Sequence, residues 1–401
     1  MGEKKCILIA MDTMLCGGIE KSLISLLNVL DSKKVDVTLL LDTRTGLFLD
    51  FIPQWINVVE INYNPLVREE KTIGRKQQLM RLIKKGRIGT AIKLYVLQNR
   101  ECKLKGDVRR ISRARRYFGG ISRQEEFDNE YDLAIAYANL EQHILVAEKV
   151  RAKKKIAFFH TQLNPQREDL SIYEEILRNF DGLFCVSKDL EKSLRETLPE
   201  FDSRICFYPH ILSVEMMKSW ANYYEPQWPG DGIKILSVGR LAHQKGFDLI
   251  PGIAKQLAAD GINFQWIIMG DGSEKNKLEE SIASQSLADK IFLKEANANP
   301  YPYFSSCDIY VQPSRYEGYC LTLAEARAFA KPIISTYFDG SREQLENGKY
   351  GVLVDFGEEA IYKALKRLIA SPALRREYAA KLQQQSISNT DGVKMIMNEF
   401  N

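Results

Sequence analysis

The chain has 401 residues, 45% of them hydrophobic and 27% charged, with a net charge of +4. This is the balance of a soluble globular protein and excludes a fibre or a disordered chain. Its length exceeds what one core ordinarily serves, so two domains are expected, and no apolar run reaches the ~18 to 20 residues that cross a bilayer.

In chain order, "KCILIAM" reads as a strand, and "GGIEKSLISLLNVL" follows with Ile19, Leu23, Leu26, Leu27 and Leu30 at helical spacing. Strands are then expected at "VDVTLLLD", "VVEIN", "YDLAIAY", "KKIAFFH", "GLFCVS" and "RICFYPH", and helices at "SIYEEILRNF" and "KDLEKSLRETL". A basic stretch interrupts this rhythm. Between Arg68 and Arg116 there are 17 Lys or Arg against four acids, a local balance of +13, which leaves −9 on the rest of the chain. Its helical segments, such as "GRKQQLMRLIKKG", read as an insertion over about 68–120.

The second half repeats the alternation: "IKILSVG", a helix from about Gly246, "FQWIIMG", "SEKNKLEESIASQ", "KIFLK", a short helix around "PYFSSC", "DIYVQPS", a helix near Tyr319, "PIIST", "GVLVD" and "GEEAIYKALKRLIAS". Short strands alternating with helices mean parallel sheets built from right-handed β-α-β units. The fold class is therefore α/β, with two doubly wound, Rossmann-like domains: 1–215, 216–385, and a helix over 386–401 packing back on the first. The aromatic, Pro and Gly residues of 221–232 mark the joint.

Seven scattered cysteines without a C-x-x-C pair predict reduced thiols, and the four histidines show no metal-ligand spacing. No metal is expected. The start, "MGEKKCILIAMDTMLCGG", has its apolar segment broken at Asp12 and lacks a small-residue cleavage site, so a cytoplasmic location is expected.

Doubly wound sheets bind ligands at the carboxyl ends of their strands, and with two facing domains the cleft between them is the default site. In "SVGRLAHQKGFDLI" a strand ends at Gly239, and Arg240 and Lys245 precede a helix. Side-chain charge and unpaired backbone N–H groups there would suit a diphosphate. "IIMGDGSEKNKLEE" carries a Gly270-Asp271-Gly272 turn, where glycine lets backbone approach a ligand. In "QPSRYEGYCLTLAEARAFAKPIIS", Glu317 and Glu325 stand eight residues apart, the first in a loop and the second roughly two turns into a helix. A metal site, an acid/base pair, the two ends of a sugar-nucleotide site and a solvated surface all fit that spacing. An ionised carboxylate can accept from two vicinal hydroxyls, as of a ribose or a sugar.

Together "GGIEKSL", "GRLAHQKG" and "PSRYEGYCLTLAEARAFAKPIIS...DGSREQLENGKYGVLV" resemble glycosyltransferase family 4, retaining nucleotide-sugar-dependent enzymes of GT-B fold. The resemblance implies a catalytic group of Arg240, Lys245, Glu317 and His160. Arg240 and Lys245 would hold the donor diphosphate beside Gly239, while Glu317 and His160 would face the donor sugar. Gly318, Tyr319, Cys320 and Leu321 would offer backbone around it, Glu325 would grip the ribose, and Glu295, Ala296 and Asn297 would meet the base. Gly17, Gly18 and Gly270 would allow close approach to phosphate or sugar. Departures are Ala330-Lys331, where the family shows glycine before proline, and "YPHILSVEMM", which offers His210 where the family often has an acid.

The function so implied is transfer from a nucleotide sugar, with UDP as the expected nucleotide, to a lipid-linked or polysaccharide acceptor in cell-surface glycan synthesis. No cofactor beyond this donor is expected. A UDP-sugar 2-epimerase on the same fold and a catalytically silent GT-B assembly partner are the alternatives. The basic 68–116 region, its cations interleaved with Leu, Ile, Tyr and Phe, is expected to meet an anionic membrane surface peripherally, on the cytoplasmic face. Nucleic acid is not an expected partner, for no binding motif accompanies the charge.

Overall fold

The computed structural model describes residues 4–15, 17–163, 170–385, 387 and 389–400. The chain forms two compact units: Met1–Leu15, Ser22–His210 and Asp391–Asn401 make the first, and Cys16–Lys21 and Ile211–Thr390 the second.

In the first unit, β1 (Lys5–Met11), β2 (Val35–Leu41), β3 (Asn57–Glu60), β4 (Glu130–Ala136), β5 (Arg151–Phe159), β6 (Gly182–Cys185) and β7 (Ile205–Phe207) form a parallel sheet in the order β3-β2-β1-β4-β5-β6-β7. In the second, β8 (Ile233–Val238), β9 (Phe264–Met269), β10 (Ile291–Lys294), β11 (Ile309–Gln312), β12 (Ile333–Thr336) and β13 (Val352–Val354) form a parallel sheet in the order β10-β9-β8-β11-β12-β13. Every strand expected from the sequence is present. Helices cover both faces, which is why β9 can be buried from end to end. Ile235, Trp266, Ile268, Ile309, Val311 and Ile334 build the second core with Ile253, Leu257, Ile361 and Leu365 from flanking helices.

Both sheets reverse their winding beside a central strand, between β1 and β4 and between β8 and β11. Loops at the carboxyl ends of such a pair diverge to opposite faces and leave a crevice. The topology thus singles out the loops after β8 and β11, which carry Arg240, Lys245 and Glu317.

Two helices start later than their sequence suggests. After β8 the α-helix is Ile250–Ala259, preceded by short 3-10 turns, because Gly246 takes left-handed φ 68°, ψ 17° and ends the first turn there. After β11 the helix is Leu321–Ala328, because Cys320 is left-handed at φ 63°. Glu325 is therefore about one turn into its helix, where two were expected.

The basic insertion is four helices, Pro65–Ile73, Arg75–Lys84, Ile88–Lys103 and Gly106–Phe118. The irregular stretch 221–232 serves as part of the second unit more than as a linker. Trp228 Nε1 donates to Ser306 Oγ at 2.9 Å and the Tyr224 hydroxyl to the Asn299 carbonyl at 2.8 Å, while the division between the units falls after His210. Six cysteines are free thiols, and Cys16 lies outside the described residues.

Candidate functional site

The loops after β8 and β11 are laced together. A side chain at Gly246 would place its Cβ 1.9 Å from the Pro313 carbonyl oxygen, so the close approach and the left-handed backbone both require glycine. Gln244 O accepts from Arg315 N at 2.8 Å and Gln244 Nε2 donates to Tyr316 O at 3.0 Å. The Arg315 guanidinium reaches His243 O and both carboxylate oxygens of Asp248. Bidentate geometry of this kind fixes one loop against the other. Arg315 and Gln244 lie within the stretches "PSRYEGY" and "GRLAHQKG", but nothing local ties one to the other, so the sequence did not single them out.

Within this frame Lys245 Nζ ion-pairs with Glu317 Oε1, both side chains being largely buried. Burial opposes the charge on Lys245 and Arg240 repels it, yet Cys320 and Glu317 beside it outweigh both and raise its pKa above the ordinary lysine value. The Cys320 thiol is pushed up to about 11, by burial first and by Glu317 second. Arg240 is exposed, and its side chain makes no hydrogen bond or ion pair among the described residues, its carbonyl alone accepting from Ala242 N at 2.8 Å. Two cations thus flank one spot, one anchored and one unpaired, an arrangement suited to a polyanion.

Gln344 Nε2 donates to the carbonyls of Tyr319 and Cys320 at the start of the Leu321–Ala328 helix. Gly318 beside them is exposed. One turn on, Glu325 is 2% exposed. Its Oε1 accepts from the Tyr301 hydroxyl at 3.2 Å and meets Lys21 Nζ at 2.5 Å, and Lys21 also lies 5.0 Å from the centre of the Tyr301 ring. Lys21 belongs with Gly17 and Gly18 to the segment Cys16–Lys21 of this same unit, where Leu321 lies 4.0 Å from where a Gly18 Cβ would be. The second oxygen of Glu325, Oε2, is buried with no hydrogen-bond partner among the described residues. Leaving a buried charged acceptor unsatisfied costs about 1–3 kcal/mol or more. Lys21 and Tyr301 were missed from sequence, since no local pattern ties either to Glu325.

The other expected residues lie as follows. Glu295, Ala296 and Asn297 form the loop after β10, where Asn297 Nδ2 donates to Tyr224 at 3.0 Å. Gly270 directly follows β9, and its missing Cβ would sit 1.9 Å from the Gly239 carbonyl oxygen, so this glycine lets the loops after β8 and β9 meet. In the first unit His160 follows β5, with Nε2 2.7 Å from the Tyr137 carbonyl. A carbonyl only accepts, so Nε2 carries the proton and Nδ1 keeps its lone pair. Burial lowers the pKa of His160 to about 4, the Tyr137 carbonyl working against it, so the ring is a neutral acceptor at Nδ1.

Residues 220–385 match the family Glycosyl transferases group 1. The amylovoran biosynthesis glycosyltransferase AmsD of Erwinia amylovora is 32% identical over 172 residues, 42% of this chain and 47% of the relative. The N-acetylgalactosamine-N,N'-diacetylbacillosaminyl-diphospho-undecaprenol 4-alpha-N-acetylgalactosaminyltransferase of Campylobacter jejuni is 29% identical over 154 residues, 38% and 41% of the two chains. The chain spans about half the length of the relatives it matches. Over 98% of both chains, the structure resembles that of HepE from Anabaena, solved with UDP and glucose, at a TM-score of 0.67 and 15% identity. The fold is α/β, of GT-B type.

Proposed function

We propose that this protein is a retaining glycosyltransferase that moves a sugar from a UDP-sugar to a lipid-linked or polysaccharide acceptor in cell-surface glycan synthesis. The observation that carries the reading is Glu325, a buried carboxylate with one oxygen satisfied by Tyr301 and Lys21 and the other without a partner among the described residues. Two vicinal ribose hydroxyls are the donors it lacks. Arg240 and Lys245 take the diphosphate, one loop away, and Glu317, paired with Lys245, stands at the sugar end. One relative is named for amylovoran biosynthesis and the other for transfer to a diphospho-undecaprenol-linked sugar, and HepE was solved with UDP and glucose, which supports the same donor and acceptor classes.

Breaking the sugar–phosphate bond puts negative charge on the leaving diphosphate. Cations already in place stabilise that charge without reorganising. No metal is needed in this scheme, so EDTA should leave the rate unchanged. The attacking hydroxyl approaches on the face the phosphate leaves, and the phosphate takes its proton, which preserves the anomeric configuration.

The deciding experiment compares UDP with 2′-deoxy-UDP by calorimetry. Wild-type protein should bind the deoxy compound about tenfold more weakly, the worth of one hydrogen bond to a charged acceptor. Glu325→Ala should bind both equally. Equal binding by the wild type, or wild-type turnover in Glu325→Ala or Lys245→Ala, would sink the assignment.

The insertion helices are proposed to hold the protein on an anionic bilayer. Of the insertion's four acids, Glu70 and Glu101 are buried against arginines, so the outward charge is almost entirely positive. Ile88, Ile92, Tyr95 and Val96 are exposed along one face of the third helix, at 56%, 58%, 56% and 43%. Met80 and Ile83 are exposed on the second. Lys84, Lys85, Arg87, Lys93 and Arg100 are exposed among them. Apolar side chains amid cations suit a bilayer whose headgroups are negative.

A further inference from the structure

Behind Glu317 runs a chain of buried hydrogen bonds that the donor-site reading leaves unused. The Tyr310 hydroxyl donates to Gln312 Oε1 at 2.6 Å, and the Thr322 hydroxyl joins the same oxygen at 3.1 Å. Gln312 Nε2 donates to Ser314 Oγ at 2.8 Å, and Ser314 Oγ donates to Glu317 Oε1 at 3.0 Å. Tyr310, Gln312 and Ser314 are each fully buried. Every link points one way. Ionised Glu317 can only accept, so Ser314 must donate to it; Ser314 must then accept from the amide nitrogen, and the amide oxygen is left to accept from Tyr310 and Thr322. A one-way chain in a low-dielectric interior is polarised link by link toward its anionic end.

The terminal oxygen, Glu317 Oε1, is also the one that pairs with Lys245. The carboxylate is therefore held on two sides, by the ammonium from the β8 loop and by the chain from β11. Thr336, from the end of β12, donates to the Ser314 carbonyl at 2.5 Å and fixes the backbone from which the serine acts. Polar side chains at the end of a central parallel strand are costly unless each finds a partner. An apolar strand end would pack at least as well, so packing alone does not call for Gln312 and Ser314.

We infer that Gln312 and Ser314 are positioning residues, which set the orientation of Glu317 toward the donor sugar and govern how tightly the sugar is held relative to the nucleotide. This rests on the proposed place of Glu317 at the sugar end. Ser314 acts only through the carboxylate, so its effect must disappear when that carboxylate is gone. A merely structural serine would show no such dependence.

The test is calorimetric, with UDP and whichever of UDP-glucose, UDP-galactose and UDP-N-acetylglucosamine the wild type binds most tightly. Ser314→Ala should lower the UDP-sugar to UDP affinity ratio about tenfold, the loss expected for one hydrogen bond to a carboxylate, and leave UDP binding unchanged. In a Glu317→Ala background the same substitution should change nothing. A wild-type ratio in Ser314→Ala, or a loss that persists without Glu317, overturns the inference. A wild-type ratio in Glu317→Ala would instead overturn the place given to Glu317. Should Ser314→Ala not fold, Tyr310→Phe keeps the ring and removes only the first donor. It should lower the ratio about fivefold, with the same dependence on Glu317, and an unchanged ratio overturns the inference equally.

Discussion

Three imidazoles of the first unit are kept neutral by burial. His143, His160 and His210 are each lowered to about 4, with His160 adding repulsion to the other two. In the unfolded chain each takes a proton near 6.5, so between pH 6.5 and 4 the unfolded state binds more protons than the folded one. Their contribution is whole above pH 6.5 and declines as the pH falls toward 4, by up to about 1.4 kcal/mol per pH unit for each ring. His143→Gln keeps a donor for the Phe158 carbonyl, 3.0 Å from Nε2 in the wild type. It should make the urea midpoint fall less between pH 7 and 5, and an unchanged slope would show that this ring does not titrate so. At the same scale, the sequence marked Glu317 and Glu325 by their motif. It could not show that each has its own lysine, because Lys21 is 304 positions from Glu325.

Charge packed inside the insertion decides how its four helices meet. Glu70 accepts from Arg75, Arg116, Gln98 and Tyr117, and Glu101 from Arg75 and Arg116. Burial opposes the charge on Glu70, but Arg116 outweighs it and holds the carboxyl below the usual range. Removing one partner of such a cluster leaves a buried charge uncompensated, at about 3–5 kcal/mol. Arg116→Met should therefore speed amide exchange across 65–118 and lower the unfolding midpoint; native protection there would contradict the role given to the cluster. Periodicity revealed that this stretch is helical. It gave no sign that its third helix would turn Ile88, Ile92 and Tyr95 to solvent, because an apolar stripe reads the same whether or not anything covers it.

For the molecule as a whole, the uneven charge is the feature most open to measurement. With +13 on 49 residues and −9 elsewhere, attraction to an anionic surface should be local and salt-sensitive. The protein should float with vesicles containing phosphatidylglycerol and not with pure phosphatidylcholine, and both salt and an Ile88→Glu/Ile92→Glu variant should release it. Equal flotation on neutral vesicles would remove the electrostatic part. What the sequence determined by itself was the alternation of strand and helix, both parallel sheets and the motifs at strand ends, because side-chain period and turn residues are local properties of the chain. Tertiary structure alone decided which oxygen of Glu325 lacks a partner, that Lys245 holds Glu317, and that Gln312 and Ser314 stand behind it. Those depend on strand order and on loops meeting across the switch point, distances that no spacing along the chain encodes.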